Sequence, residues 1–569
     1  MKKLFLLFFI SACFFGGCNK PENKFNEAQY APKDAFINGS KFAYYGSLNP
    51  WDRRFFSVES ANKYVNRWGQ RYFLEVLENK AYDAIDSCIA KLKAEPSDLE
   101  AGFVLTAGLC VTNKPVQAFH QMIKTIDAGL PFSRFLAGPR SIFKPLYITK
   151  QFKNYYSLHK IELIHGPMLG CVTDSSAKFW VRTLHEIPVG IKIYSATSGN
   201  SKVISSGINK TDSTHGYTAL ISVKNLKPDT KYYYNVFPGG KPYYKKDLPY
   251  FRTYPVKGNK GEFNIAFGGG AGFAPQNERI WDLMNSYNLS ACLLLGDNVY
   301  IDMPGIPGPF HDYTYFRRQS RKEFRDLTSD TPIYAVWDDH DVATDDIWMG
   351  PYVNKPAWKL PNFYYYKNQW NDPYYGEKDH PGSWFNFSMG DIDFFVLDGR
   401  MYRTNPFEKN PTMLGPVQKK WLFKKLKNSK GTFKVLVSPV GWAPGIKESS
   451  KDTWDGFQAE REAIFSFIEK NKIEGVILLS ADRHRSDSWK ISRENGYPFY
   501  EFMSSKLTNI HTHPTNPKAL FSYNKKCTFG LVQFNTKAKD PTVKYTIITN
   551  DNEKVYSITI KRSELVFKD

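Results

Sequence analysis

Val336-Trp337-Asp338-Asp339-His340-Asp341 puts three carboxylates and an imidazole into four consecutive positions, at the end of the apolar run 333–337. A run of that length reads as a short buried strand. Ionisable groups at its end are costly unless they are paired or hold a metal. The pattern recurs three times. Residues 291–295 run into Gly296-Asp297-Asn298-Val299-Tyr300, residues 394–397 into Asp398-Gly399-Arg400, and residues 476–479 into Ser480-Ala481-Asp482-Arg483-His484. In an open α/β sheet, ligands bind beyond the carboxyl ends of the strands. One such cluster alone is equally a structural ion pair; four at the same point of a sheet are better explained by a shared metal site.

The donor types set the chemistry. Several oxygen ligands with at least one imidazole suit Mn, Fe, Zn or Ca-type ions. Two such ions clamp the attacking and leaving oxygens of a phosphoryl group and generate hydroxide near neutral pH. Asp297 is the expected bridging carboxylate, and Tyr300 adds a phenolate for a trivalent ion. Asp339 and Asp482 are ligand candidates from facing strand ends, with His484 an imidazole ligand. His340, beside a ligand, is placed to donate a proton to a leaving alkoxide. Arg400 offers a planar fork matched to phosphate oxygens, with Asp398 orienting it. The plainer readings are a wall residue for Tyr300 and a simple Asp398–Arg400 ion pair.

The 569 residues are too many for one ordinary core, so two to four domains are expected. The net charge of +20 favours anionic partners such as phosphate esters, acidic lipid or nucleic acid. The basic residues are spread along the chain without a Lys/Arg block, which fits a solubilised surface equally well. Met1-Lys2-Lys3 and the apolar stretch 4–10 read as a signal sequence, too short to span a membrane. Phe15-Gly16-Gly17-Cys18 resembles a bacterial lipobox, which makes 1–18 a lipoprotein leader, Cys18 the lipid anchor and 19–56 a polar tether. Ile10-Ser11-Ala12-Cys13 also fits a lipobox; Cys18 is preferred because the polar sequence starts directly after it.

Residues 57–155 show helical periodicity, with helices expected over 80–94, 98–110 and 116–128 and breakers at Pro96 and Pro115. From 160 to 256 the period changes to two, which predicts a small β-sandwich. Residues 261–569 alternate strands with helical segments, an α/β pattern, closed by strands near 531–534, 543–548 and 555–560. The aromatic-rich stretch 348–387 has little periodicity and reads as a lid or wall, whose aromatics could stack on a substrate although structural packing is the more common use. The five cysteines beyond the leader are widely spaced, and Cys88–Cys110 is the one pair worth testing as a disulfide.

The motifs Leu295-Gly296-Asp297-Asn298-Val299-Tyr300, Trp337-Asp338-Asp339-His340-Asp341, Leu397-Asp398-Gly399-Arg400-Met401-Tyr402-Arg403 and Ser480-Ala481-Asp482-Arg483-His484 resemble those of the PhoD-like alkaline phosphatases, within the calcineurin-like metallophosphoesterases. His165-Gly166-Pro167 and residues 226–234 are similar to that family's N-terminal immunoglobulin-like domain. The resemblance covers roughly 163–565 and implies an α/β/β/α sandwich. It implies hydrolysis of phosphomonoesters or phosphodiesters at a centre of two metal ions, iron and calcium, with Mn or Zn as alternatives. By motif position, Asp297, Tyr300, Asp339, Asp482 and His484 match metal ligands and His340 the catalytic histidine. Gly268-Gly269-Gly270-Ala271 departs from the family, with Gly270 where members carry a thiolate ligand, and Thr344-Asp345-Asp346 stands where an asparagine ligand is typical.

Two readings follow. The first is an exported, lipid-anchored phosphoesterase in which hydroxide attacks phosphorus, Arg400 holds the phosphate and His340 serves the leaving group. Nucleic acid enters only as a substrate. The alternative, prompted by Gly270, is a catalytically impaired surface protein that binds a phosphorylated or glycan ligand.

Overall fold

The computed structural model describes residues 68–195, 202–302, 305–448 and 450–568. The leader, Cys18 and the tether lie outside the described residues. Helices fill the first region, from Trp68–Leu77 to Lys150–Leu158. The three expected ones occur as Ala81–Ala94, Leu99–Val111 and Pro115–Asp127. Asp98 caps the second, its side chain accepting a hydrogen bond from the Ala101 N–H. That helix is buried on nearly every face, from Ala101 to Cys110, so it is the core of the module. The module continues past the expected three helices because Phe132, Phe135, Phe143 and Phe152 supply further aromatic packing.

The next region forms two small sheets. One joins Leu163–Gly170, Ala177–Thr183 and Thr218–Val223; the other joins Val203–Lys210, Pro188–Ser195, Lys231–Pro238 and Tyr250–Arg252. Phe179 meets Tyr234 and Phe251 between them, at ring separations of 4.6 and 5.8 Å. Arg182, buried on this module, donates to Gln319 (2.7 Å) and Gln369 (2.8 Å) of the following region, which fixes the two together.

The α/β region is built on two facing sheets. The six-stranded sheet runs Ile333–Val336, Ala291–Leu295, Glu262–Gly268, Thr528–Asn535, Thr542–Thr549 and Lys554–Lys561. Its first three strands are parallel; the last three are the closing strands expected from the sequence. The seven-stranded sheet has a parallel centre of Ile392–Val396, Phe433–Val437, Val476–Ser480 and Phe499–Met503. Phe534 packs on Phe394 and Phe433, and Phe502 stacks on Tyr545 at 4.6 Å, so aromatic side chains fill the space between the sheets. At one end a parallel bridge between Gly269 and Ser505 joins the two sheets. The four strands singled out from sequence occupy the expected positions, and their carboxyl ends meet at this end.

Two expectations need correction. The stretch 348–387 is not a free wall: it contains the helix Lys359–Lys367, whose Phe363 and Tyr366 each lie 5.4 Å from the buried Trp337 ring. Phe363 and Tyr366 are thus committed to packing, the commoner use of such aromatics, while Tyr352 and Tyr364 are exposed. Cys88 and Cys110 are separate buried thiols, as are Cys171, Cys292 and Cys527.

Candidate metal centre

Asp297 begins the loop after Ala291–Leu295 in a left-handed conformation (φ 53°). Non-glycine residues adopt that region rarely, Asp and Asn most readily. Asp302, Asp346, Asp482 and His484 share it, with φ of 54°, 57°, 67° and 48°. Five such residues around one site mark backbone held against its preference by the surroundings.

Those surroundings are visible bond by bond. The Asp297 carbonyl accepts from Ala271 N–H (2.8 Å) and the Asn298 carbonyl from Arg318 Nη1 (2.6 Å). The Val299 N–H donates to Asp341 Oδ1 (3.0 Å), and the Tyr300 carbonyl accepts from Gln70 Nε2 (2.6 Å). Asp341 also accepts from Asp338 N–H (2.9 Å), tying the two ligand loops together, and burial pushes its carboxyl up to about 7. Arg318 is itself fixed by the buried Glu278.

Gln70 belongs to the first helix of the N-terminal module, so that module braces the loop carrying Asp297 and Tyr300. Phe73 stacks on Tyr313 at 4.4 Å, and Arg134 donates to the Tyr313 carbonyl, which strengthens the same contact. Gln70→Met keeps length and burial but removes the donor. We expect metal affinity to fall about tenfold, the lower end for outer-shell partners, with a stability loss of only ~1 kcal/mol. Calorimetric metal titration beside thermal unfolding checks this; unchanged affinity with lowered stability would refute the bracing role.

The side chains converge. Tyr300 Oη donates to Asp297 Oδ2 (2.8 Å) and lies 3.3 Å from His484 Nε2. Ligating atoms of Asp297, Asp339 and His340 lie within 4.8 Å of one another. Asp297 Oδ1 and Asp482 Oδ2 are buried with no hydrogen-bond partner. Burial pushes the Asp297 carboxyl well above the usual range; His340 pulls it back, and Asp339, Asp338 and Asp341 repel it further. His484 is held neutral by burial and by the adjacent His511, His513 and His340, as a ligand imidazole must be.

A second group, Asp339, Asp346 and Asp452, also lies within 4.8 Å, but it carries its own cations. Lys447 Nζ donates to Asp346 Oδ1 (2.7 Å), Arg400 grips Asp452 through Nη1 (2.7 Å) and Nη2 (3.0 Å), and Arg403 donates to Asp452 as well. The expectation for Arg400 changes accordingly. It is fully buried, and its donors go to Asp338, Asp452 and the Ile347 carbonyl. It therefore positions carboxylates and has no free fork for a phosphate. Asp398 receives the Arg400 and Met401 backbone N–H groups (2.8 Å each), so it shapes the turn and leaves the guanidinium alone.

His340 Nδ1 pairs with the buried Asp302, while Nε2 faces the exposed Asp345 at 3.6 Å. Burial lowers the basicity of His340, but Asp302, Asp339 and Asp297 outweigh it and raise it well above the ordinary histidine range. The Gly270 departure is built into the backbone: φ is +67°, and a Cβ there would meet Ser505 Oγ at 2.7 Å. A cysteine there would be strained and would have to displace Ser505 Oγ.

Sequence reasoning missed Asp302, Asp452, Lys447 and two further histidines. His511 and His513 lie 5.0 and 5.7 Å from the His484 ring and 4.6 Å from each other. The one available signal was His511-Thr512-His513 itself, two imidazoles so close in a chain with 11 histidines.

The donors present fit a bound cation. Asp297, Asp302, Asp338, Asp339, Asp341, Asp346, Asp452 and Asp482 gather against Arg400, Arg403, Lys447 and Arg483, and buried carboxylate oxygens are left without donors. Such an excess is stable only with added positive charge or bound protons.

Comparison with known proteins points the same way. A family model described as PhoD-like phosphatase matches residues 265–564. A second, described as a domain of unknown function (DUF7800), matches residues 160–253. Alkaline phosphatase D of Bacillus subtilis (strain 168) is 24% identical over 357 residues, 54% of this chain and 59% of that protein. The chain thus spans about three-fifths of that relative's length. A solved structure of PhoD superposes with a TM-score of 0.59 at 18% identity, covering 71% of this chain and 91% of that one. A purple acid phosphatase from yellow lupin (Lupinus luteus) seeds gives 0.51 at 13% identity, covering 70% and 75%. At these identities the two structures establish a shared fold.

Proposed function

The chain belongs to the PhoD-like phosphatase family, and from that premise we propose that it is a metal-dependent phosphoesterase hydrolysing phosphomonoesters, phosphodiesters or both. The observation that carries this reading is the group Asp297–Asp339–His340, with Tyr300 and His484 hydrogen-bonded into it and carboxylate oxygens left open.

Asp297, Tyr300, Asp339, Asp482 and His484 would hold the ion. Imidazole with phenol and carboxylate suits iron, manganese or zinc. The all-carboxylate group Asp339–Asp346–Asp452 suits a hard ion such as calcium, which must there compete with Lys447 for Asp346. When bound, metal supplies Lewis-acid polarisation of the phosphoryl oxygens and an activated water near neutral pH. The chain's own residues do the rest. Asp302 holds the His340 ring through Nδ1, leaving Nε2 to donate a proton to the departing ester oxygen. Arg400 and Arg403 hold Asp338 and Asp452 in place. Asp341 locks the two ligand loops to each other.

Export and anchoring are part of the same proposal. Their support is the basic start Met1-Lys2-Lys3, the apolar stretch 4–10 and the lipobox-like Phe15-Gly16-Gly17-Cys18. In a lipoprotein-processing bacterium, Cys18→Ala would then move the protein out of the membrane fraction; unchanged partition would count against the anchor.

The function is tested by metal analysis of the purified protein beside hydrolysis of p-nitrophenyl phosphate and its bis-ester. We expect one or two ions per chain and turnover of at least one ester. One ion with turnover would mean that Lys447 keeps the second group. No retained metal and no turnover across added metals would leave the alternative, a ligand-binding surface protein.

A further inference from the structure

If Arg400 is committed to carboxylates, something else must receive the phosphate. The cations around the centre can be taken in turn. Arg400 is spent on Asp338 and Asp452 and Lys447 on Asp346; Arg403 is paired with Asp452 and the Gly399 carbonyl, with only its Nη2 unpartnered; and Arg318 is spent on Glu278 and the Asn298 carbonyl. Arg485 is spent on Asp487 and the Ile446 carbonyl.

Arg483 is different. It lies between the ligand candidates Asp482 and His484, its N–H donating to the Ala481 carbonyl at 2.9 Å in a tight turn. It is 7% exposed, and its Nε is buried with no hydrogen-bond partner. Among the described residues no carboxylate comes within ion-pair distance of it. A guanidinium N–H buried without an acceptor is costly. A chain that keeps one beside a metal centre must recover that cost elsewhere. The planar fork of an arginine matches two oxygens of a tetrahedral phosphoryl group, and such charge-assisted pairs are the strong ones.

We propose that Arg483 is the phosphoryl anchor of this site, its guanidinium receiving non-bridging oxygens of the ester and afterwards of the released inorganic phosphate. This rests on the phosphoesterase reading above. It also gives a sense to the two left-handed residues that flank it. With Asp482 and His484 in that conformation, three consecutive residues can serve one centre: carboxylate, guanidinium and imidazole.

The test compares Arg483→Gln and Arg483→Lys with the parent, all carrying measured metal. The readouts are KM and kcat for p-nitrophenyl phosphate, and the competitive inhibition constant of inorganic phosphate. In Arg483→Gln we expect both KM and the phosphate inhibition constant to rise about 10- to 10²-fold, with metal content unchanged. Arg483→Lys should recover part of the loss, since it restores the charge without the fork. Phosphate inhibition within twofold of the parent in Arg483→Gln, metal retained, would overturn the assignment. So would loss of metal from both variants, which would make Arg483 a ligand-positioning residue. A parent with metal but neither turnover nor phosphate inhibition would instead sink the phosphoesterase reading itself.

Discussion

Asp297→Asn is expected to lose both retained metal and turnover while leaving the metal-free protein at least as stable as the parent. The substitution is nearly isosteric, and asparagine tolerates the left-handed backbone at this position as well as aspartate does. Fold and loop path are therefore preserved, and what changes is charge and ligand strength. Outer-shell partners of a metal already cost 10- to 100-fold when removed, so loss of an inner carboxylate should reduce turnover by more than about 10²-fold. The stability term has the opposite sign. Asp297 is pushed upward by burial and by the repulsion of Asp339, Asp338 and Asp341, which together outweigh the attraction of His340. Without metal, removing that charge relieves repulsion and a desolvation cost. The pair of measurements is metal content with turnover, and the unfolding temperature in chelator. Turnover within threefold of the parent, metal retained, would mean that Asp297 is not a ligand; a large fall in the chelator unfolding temperature would mean that its role is structural.

The parts of this site that were legible in the sequence share one property: each sits at the end of an apolar strand. Asp297, Asp339 and Asp482 follow runs whose burial is complete in the structure, Ala291–Leu295, Ile333–Val336 and Val476–Ser480. A buried strand leaves a strong local signal, and an ionisable residue at its end stands out. Asp302, Asp452 and Lys447 lie in irregular connections, where no periodicity marks them. Their meaning comes from partners far along the chain, such as Asp302 with His340 or Lys447 with Asp346, 101 residues apart. The role of Arg400 was misread for the same reason. A fork beside an aspartate is visible in sequence; the buried Asp452 that occupies it is not. The helical module shows the converse case. Its helices follow directly from periodicity, yet its bearing on the site depends on one buried glutamine reaching the Tyr300 carbonyl, which no pattern announces.

His340→Ala is expected to cost about 10²- to 10⁴-fold in kcat on an alkyl phosphate, the range for a positioned general acid, and far less on p-nitrophenyl phosphate. The geometry gives the reason. Asp302 occupies Nδ1, and the ring lies against Tyr300 at 4.3 Å, so the imidazole is fixed in place with Nε2 facing the side of the exposed Asp345. A proton donor matters most when the departing oxygen is strongly basic. p-Nitrophenolate leaves readily without help, whereas an alkoxide does not. The size of the loss should therefore track the basicity of the leaving group, and Asp302→Asn should show the same trend at smaller amplitude, about 10-fold or more. This dependence separates proton donation from the other role the structure permits, since His340 also falls within the Asp297–Asp339 donor group. A ligand role predicts equal losses on both esters, together with loss of metal. Equal losses with metal retained would remove His340 from proton transfer as well, leaving the ring as a support for Tyr300. A graded loss with metal retained is the result that the Asp302–His340 pair, buried at the mouth of the two ligand loops, is built to give.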